Sequence, residues 1–399
     1  MGQVSNKNII LLLRYAVKCV DRSLLDHGSR AAYILYKMLQ HKGNLELYEM
    51  ADYTVFVTLH NTLTNKNKNI EGYRFLKELS PFMKEAKAQL NYYENHTNYE
   101  STGSQLDDIA ACIFLADWID TYYVTHGSDF DIDSLRQYEG THFTKEAWEL
   151  LEETSKKEKL FDALKDESYL KELDELIEYL VFNNEDEEKY LNMIIYCMGL
   201  KSERYALDTT ACMCLCEELG LKMYLTQEQR ESLKYAALVH DLGMLVLPQE
   251  LVNESGKLTK NEMEQIEKHV EITEAALRTI LPDNIVDIAM AHHERGNGSG
   301  YPKKLKARDM NTMQRILQVA DMVSALTSDR PYREAKDKKT IQTILREGAD
   351  NSSLSTEVVN HVIRNYDDIQ SKITKKKEQI LQVKNSLEKS LQRNGEHNG

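Results

Sequence analysis

Residues 236–244 read AALVHDLGM, an apolar run that ends in an adjacent histidine and aspartate. A run of this kind predicts a helix that is anchored in the core and delivers His240 and Asp241 into a pocket at its end. Imidazole and carboxylate groups together suit iron, manganese or zinc, and the two oxygens of one carboxylate can hold two cations close together. The stretch therefore predicts a helical domain with a metal site.

Further candidate ligands follow downstream, namely His269, the pair His292-His293, and Asp321. A single histidine is more often a surface or core residue than a metal ligand. Adjacent histidines and carboxylates in this order favour a site for two ions over a site for one, because each pair can serve two neighbouring cations. The pattern indicates a multinuclear hydrolase.

The segments between these ligands are typical of helices. Thr259 or Leu258 opens a capping pattern with Glu262 in the first turn, so a helix that carries His269 should begin there. His292 and His293 are expected to end the next helix. Asp321 lies in residues 316–326, whose apolar positions predict a core-facing helix.

Residues 236–333 resemble the HD-GYP family of bacterial cyclic dinucleotide phosphodiesterases, a branch of the HD metal-dependent phosphohydrolases. Four segments carry the resemblance: AALVHDLGM, GKLTKNEMEQIEKHV, HHERGNGSGYP and VADMVSALTSDRPYR. In detail it covers about residues 190–368. It implies a helical HD fold and metal-dependent hydrolysis of a cyclic dinucleotide involved in bacterial signalling.

The resemblance also implies roles for individual residues. Two divalent metal ions, or three, with iron or manganese as the expected metals, should bind His240, Asp241, His269, His292, His293 and Asp321, of which His240 and Asp241 would be catalytic. Tyr301, in a loop with three glycines, is expected to contact the substrate; its alternative role is to pack on its own domain. Arg330 and Arg333 are expected to bind phosphate or guanine, because guanidinium groups grip phosphate bidentately.

Two positions depart from the family pattern. Met244 stands where the HDxGK motif has lysine, which removes a cation near the scissile phosphate. The histidine that opens the family's ligand set is also missing: one alignment places Arg204 there and the other places Asp208. Asp208 could ligate a metal ion, whereas Arg204 could not.

The first half of the chain repeats this layout in a depleted form. His27 and Arg30 match the helix that opens HD-type domains, and later positions correspond in order: His60-Asn61 to His240-Asp241, Tyr92-Tyr93-Glu94 to His292-His293-Glu294, and Asp117 to Asp321. The spacing between matched residues increases steadily, as a duplication with insertions in the second copy predicts. Because most ligands are replaced and no GYP segment occurs, residues 1–185 are expected to be a non-catalytic domain.

The predicted fold class is therefore all-α, with two tandem HD-domain-like helical bundles and a C-terminal helix. The expected domains are residues 1–185, residues 186–368 with the metal site, and residues 369–399. Ile373, Ile380 and Leu387 recur at sevens in the last segment, which favours either a coiled-coil-like helix that forms a homodimer or a solvated terminal helix. A signalling partner could bind the first domain or this last segment.

Composition limits the other partners. The 399 residues carry a formal net charge of −14, which argues against binding to a nucleic acid polymer. The apolar run at residues 9–13 is too short to cross a bilayer, and six cysteines without a CxxC pair indicate reduced thiols. The sequence thus predicts a cytoplasmic protein with no membrane partner.

The functional hypothesis is hydrolysis of a 3′,5′-cyclic dinucleotide to its linear form and further to mononucleotides. Cyclic di-GMP is the preferred substrate in this hypothesis. One alternative is a phosphodiesterase for cyclic GMP-AMP, which would use the same metal ligands. The other is an inactive scaffold that senses the dinucleotide, which the loss of the lysine at Met244 would favour.

Overall fold

The computed structural model describes residues 4–20, 22–59, 105–252, 259–329 and 334–396. Within these ranges the chain forms helices and two isolated β-bridges, and no strand. The predicted all-α class is confirmed. Contacts divide the chain into an N-terminal unit, residues 9–193, and a C-terminal unit, residues 194–399 together with residues 1–8.

The N-terminal unit is built around a long central helix, α2, which packs against α3, α4 and α5. Its core includes Leu35, Phe56 and Ile113, each of which has at most 1% of its surface exposed. The described helices are α1 (Asn6–Val20), α2 (Arg22–Lys42), α3 (Leu47–Leu59), α4 (Gln105–His126), α5 (Lys145–Lys157), α6 (Leu160–Lys165) and α7 (Tyr169–Leu176), followed by α8 (Asn184–Lys201), which continues into the C-terminal unit.

The C-terminal unit is centred on α9, which packs against α10, α14 and α17. After α8 its helices are α9 (Glu203–Lys222), α10 (Gln227–Val239), α11 (Gln249–Val252), α12 (Lys260–Leu277), α13 (Asp283–Ala289), α14 (Thr312–Leu326), α15 (Lys338–Asp350), α16 (Thr356–Arg364) and α17 (Tyr366–Glu396). A short 3₁₀ helix, Leu242–Val246, follows α10 and packs on α12.

Local sequence explains where the key helices begin. The predicted capping box at Thr259 and Glu262 is confirmed at the start of α12, and Thr226 with Gln229 caps α10 in the same way. Each box satisfies backbone N–H groups that have no partner within the helix. The run Ala236–Val239 at the end of α10 is fully buried, so the histidine and aspartate that follow it are held against the core.

One helix is shorter than predicted. His292 and His293 do not end a helix, because α13 stops at Ala289 and both histidines lie in the turn that follows. The Nδ1 atom of His292 donates to the carbonyl oxygen of Ala289 at 2.7 Å. In a longer helix this carbonyl would accept a backbone N–H instead, so the side chain competes with continuation of the helix.

None of the helices in the described ranges combines the length and the apolar character that a membrane span requires.

Ile369 and Ile373, at the start of α17, are buried within the C-terminal unit with 1% and 2% of their surface exposed. The predicted domain boundaries and the predicted dimer remain predictions.

Candidate metal centre

Three histidines are oriented by the same local device. The Nδ1 atoms of His240, His269 and His292 lie 2.9, 2.6 and 2.7 Å from backbone carbonyl oxygens three residues earlier in the chain. An imidazole that donates its Nδ1–H to a carbonyl must keep its lone pair on Nε2. Each of these rings is at most 2% exposed, so its Nε2 atom faces the interior of the site.

Asp241 lies among these three Nε2 atoms and uses both of its oxygens. Its Oδ1 atom is 3.3 Å from Nε2 of His269 and 3.5 Å from Nε2 of His292. Its Oδ2 atom is 3.6 Å from Nε2 of His240. A carboxylate that faces different nitrogens with its two oxygens has the arrangement of a bridging ligand.

The potential ligands form two groups that share Asp241. One group is Asp241, His269, His292 and His293, and the other is His240, Asp241 and Asp321; within each group the ligand atoms lie within 4.8 Å of one another. All six residues that the sequence predicts as ligands from its histidine and aspartate pairs are thus brought together.

The donor set fits divalent cations. Nε2 of His269 lies 3.2 Å from Nε2 of His292, and the Nδ1–H of each ring donates to a backbone carbonyl. At this distance one ring can donate to the other if it carries a second proton, and a cation can take the place of that proton. Borderline metals such as iron, manganese or zinc accept this mixture of imidazole and carboxylate ligands.

Asp321, which lies on α14, is the third member of the second ligand group. Its Oδ1 atom is 3.7 Å from Nε2 of His240 and its Oδ2 atom is 3.7 Å from Nδ1 of His293. Burial alone would raise the pKa of Asp321, but the hydrogen bond from His240 and the neighbouring imidazoles lower it to about 2. The carboxylate is therefore ionised at neutral pH.

The charges of the histidines differ. Burial lowers the pKa of His292, and burial lowers that of His293 well below its usual value, so both rings are neutral and can act as ligands. Burial also lowers the pKa of His240. The charge of Asp241, together with Cys212 and Asp321, outweighs burial, so the net pKa of His240 is raised. A cation bound beside His240 would have to displace a proton.

Tyr301 lies at the edge of the site. Its ring centroid is 4.7 Å from that of His293, and burial raises the pKa of its hydroxyl far above the ordinary value, so the phenol remains protonated. The loop that carries it is anchored by Glu294, a fully buried residue whose two carboxylate oxygens accept the backbone N–H groups of Lys303 at 2.6 Å and Leu305 at 2.8 Å.

Sequence reasoning missed this anchoring function of Glu294. The available signal was a carboxylate next to two ligand histidines and ahead of a glycine-rich loop, where backbone N–H groups need acceptors.

The remaining predicted residues lie elsewhere. Asp208 belongs to neither ligand group; its carboxylate accepts a hydrogen bond from the hydroxyl of Ser328. Arg330 and Arg333 lie outside the described residues. Met244 lies partly exposed in the 3₁₀ helix just after Asp241.

The corresponding residues of the N-terminal unit are arranged differently. Both nitrogens of His27 are engaged by carboxylates: Nε2 lies 2.9 Å from Asp117 and Nδ1 lies 2.6 Å from Asp120, which also binds Arg30. A ring paired at both nitrogens has no lone pair for a metal ion. Neither of the two ligand groups includes a described residue of this unit; His60, Asn61 and the Tyr92-Tyr93-Glu94 segment lie outside the described residues.

Comparisons with known proteins agree with this geometry. Residues 195–354 match the family model of the HD domain. The 3′3′-cGAMP-specific phosphodiesterase 1 of Vibrio cholerae is 33% identical over 152 residues, which are 38% of this chain and 35% of that protein. The cyclic di-GMP phosphodiesterase response regulator RpfG of Xanthomonas campestris is 36% identical over 123 residues, which are 30% of this chain and 31% of that protein. The matches thus span about a third of the length of each relative.

A solved structure extends the similarity in fold. The cyclic GMP-AMP specific phosphodiesterase V-cGAP3 of V. cholerae aligns with a TM-score of 0.58 at 17% identity, covering 92% of this chain and 98% of that one. At this identity the match concerns the fold alone, and it agrees with the all-helical fold of the described residues. Residues 195–354 of this chain are therefore an HD domain, similar in sequence to the cyclic dinucleotide phosphodiesterases named above.

Proposed function

We propose that the C-terminal unit hydrolyses a 3′,5′-phosphodiester bond of a cyclic dinucleotide with the help of two divalent metal ions. The observation that carries this proposal is the position of Asp241, whose two oxygens join two groups of ligands. A single-ion site would not need a shared carboxylate between two sets of buried donors.

His240, Asp241, His269, His292, His293 and Asp321 would hold the ions, which we expect to be iron or manganese. Bound ions of this kind supply a nucleophilic water at neutral pH and neutralise charge on the phosphoryl oxygens. The chain itself keeps the imidazoles oriented through the three backbone carbonyls, and the half-buried ring of Tyr301 lies beside His293. No nucleophilic side chain is required.

The substrate is a cyclic dinucleotide that contains guanosine. The sequence favours cyclic di-GMP, and RpfG carries that activity in its name. Relatives named for cyclic GMP-AMP, phosphodiesterase 1 and V-cGAP3, support the alternative. Both molecules share one guanosine and the same linkage, and Arg330 and Arg333 are our candidates for binding phosphate and guanine in either.

The test is a parallel assay on cyclic di-GMP, 3′3′-cGAMP and cyclic di-AMP with protein purified anaerobically, in which bound metal is quantified. We expect about two equivalents of metal per chain and hydrolysis of a guanosine-containing substrate, with cyclic di-AMP as the control. If the metal-loaded protein hydrolyses none of the three dinucleotides, the proposal that it is a cyclic dinucleotide phosphodiesterase is refuted. Binding without hydrolysis would instead establish the sensing scaffold that Met244 favours.

The N-terminal unit is proposed to be non-catalytic, because His27 is paired with two carboxylates. It would serve as a regulatory or partner-binding domain. Deleting metal ligands of the C-terminal unit should then remove all hydrolysis, and residual activity in such a variant would contradict this assignment.

A further inference from the structure

Arg295 follows the two ligand histidines and Glu294 in the turn after α13. Its Nη1 atom donates to the carbonyl oxygen of Glu294 at 2.8 Å and to that of His292 at 3.3 Å. One nitrogen of this half-buried guanidinium is therefore fixed against the turn that presents the histidines.

The opposite edge of the guanidinium has no partner in the described part of the chain. A guanidinium carries five N–H groups, and an edge formed by Nε and Nη2 can bind an anion through two parallel hydrogen bonds. Within the described residues neither of these nitrogens bonds an acceptor, and no carboxylate forms an ion pair with Arg295. Neither nitrogen is both buried and unpartnered, so this edge is open to solvent.

The guanidinium lies beside the metal centre. It interacts electrostatically with Asp321, a candidate ligand on α14, and with Tyr301, whose ring lies beside that of His293. The loop that carries Tyr301 runs directly over the backbone of Arg295, because a Cβ atom on Gly300 would overlap the Arg295 nitrogen. Arg295 and Tyr301 are thus held together at the edge of the ligand groups.

The charge of Arg295 is not balanced by a paired carboxylate. Burial lowers the pKa of Arg295, but a guanidinium keeps its proton at neutral pH. Partly buried charges are normally paired, because taking an unpaired ion out of water costs free energy. Two divalent cations bound to Asp241 and Asp321 would add four positive charges against the two negative charges of these carboxylates. An anionic ligand would neutralise the excess, and each phosphodiester of a cyclic dinucleotide carries one negative charge.

We propose that Arg295 is a substrate-binding residue, whose Nε and Nη2 atoms bind a phosphate of the cyclic dinucleotide beside Tyr301. The proposal rests on the proposed function. The contact would supply the positive charge that is missing where Met244 replaces the lysine of the family pattern. Because Nη1 is already held by the turn of His292, the free edge is oriented before the substrate arrives, so little conformational entropy is lost on binding.

The experiment compares Arg295→Gln and Arg295→Lys with Arg308→Gln, a control that removes an exposed arginine paired with Asp309. Three quantities are measured on the full chain: metal per chain, KM and kcat for the hydrolysed dinucleotide, and the Kd of cyclic di-GMP for the metal-depleted protein at several salt concentrations. The last measurement is independent of turnover.

We expect Arg295→Gln to raise KM and Kd by about tenfold or more at wild-type metal content, because a pair of charge-assisted hydrogen bonds is lost. The Kd of this variant should also depend less steeply on salt concentration than that of the wild type. Arg295→Lys keeps the charge and should keep the salt dependence, while its KM and Kd rise because an ammonium cannot form the two parallel bonds. Arg308→Gln should resemble wild type.

Unchanged KM and Kd in Arg295→Gln would overturn the proposal. A loss of metal with an unchanged Kd would overturn it as well, since Arg295 would then only hold the turn of His292. If Arg295→Gln does not fold, Arg295→Lys decides, and wild-type KM and Kd in that variant would contradict the two bonds to phosphate. If the wild type hydrolyses no dinucleotide, the proposed function fails, whereas the Kd of cyclic di-GMP still measures whether Arg295 binds its phosphate.

Discussion

Gly243 lies directly against the backbone of His269. A Cβ atom on Gly243 would overlap the carbonyl oxygen of His269 and approach Oγ1 of Thr273 to 2.6 Å. The N–H of Gly243 donates to the same Oγ1 at 2.8 Å, and Thr273 donates to the His269 carbonyl at 2.7 Å. The glycine that follows the His-Asp pair therefore sets the distance between Asp241 and the helix that carries His269.

Gly243→Ala should push α12 away from Asp241. We expect a loss of about 1–3 kcal/mol in the free energy of unfolding, typical of overpacking in a close-packed core, and a lower metal content. Urea denaturation and metal analysis measure the two effects. Gly199→Ala is the control, because a Cβ there would meet only the Cβ of Ala206 at an ordinary 3.5 Å. Wild-type metal content in Gly243→Ala would show that the contact does not set the site.

Removing the shared carboxylate should have a larger effect than removing an unshared one. Asp241 belongs to both ligand groups, whereas Asp321 belongs to one. We expect Asp241→Asn to lose both metal ions and all hydrolysis, and Asp321→Asn to keep about one ion per chain. Metal quantitation on both variants is the measurement. Equal stoichiometry in the two proteins, or turnover by Asp241→Asn, would contradict the bridging role.

Glu294 should support the Tyr301 loop without binding metal. In Glu294→Gln the amide NH₂ would face a backbone N–H, so one of the two hydrogen bonds to Lys303 and Leu305 is lost. We expect a decrease of about 1–3 kcal/mol in stability and a raised KM at wild-type metal content. Thermal unfolding and steady-state kinetics test this, with the exposed Glu271→Gln as the control. Loss of metal from Glu294→Gln would instead place this carboxylate in the ligand set.

The His27 cluster predicts a pH-dependent stability of the N-terminal unit. Burial opposes protonation of His27, but the carboxylates of Asp117 and Asp120 outweigh it and raise the pKa to about 10 from an ordinary 6.5. Because the folded-state pKa is the higher one, the stabilisation is complete below pH 6.5 and is lost as the pH rises towards about 10.

The stability of the wild-type chain minus that of His27→Gln should therefore decrease between pH 6.5 and about 10. Denaturant unfolding at several pH values gives this difference, and His126→Gln, an exposed histidine on α4, serves as the control. A difference that is independent of pH would mean that folding does not raise the pKa of His27.

Much of the fold follows from local sequence. The helix start at Thr259, the buried run before His240 and the apolar face of α14 could be predicted, because capping and hydrophobic periodicity act within a few residues. The sequence also predicted which six histidines and aspartates would lie together, because adjacent ligand pairs in this order favour one shared site.

The remainder depended on contacts between residues far apart in the chain. Only tertiary structure decides which oxygen of Asp241 faces His240 and which faces His269, because helices from different parts of the sequence must first pack together. Tertiary structure also decides the role of His27. Its sequence pattern matches the opening helix of an HD-type domain, but in the folded chain both ring nitrogens pair with the carboxylates of Asp117 and Asp120. The sequence determined which ligand types were available; the packing of the helices decided which charges meet, since electrostatic interactions depend on distances that no local pattern encodes.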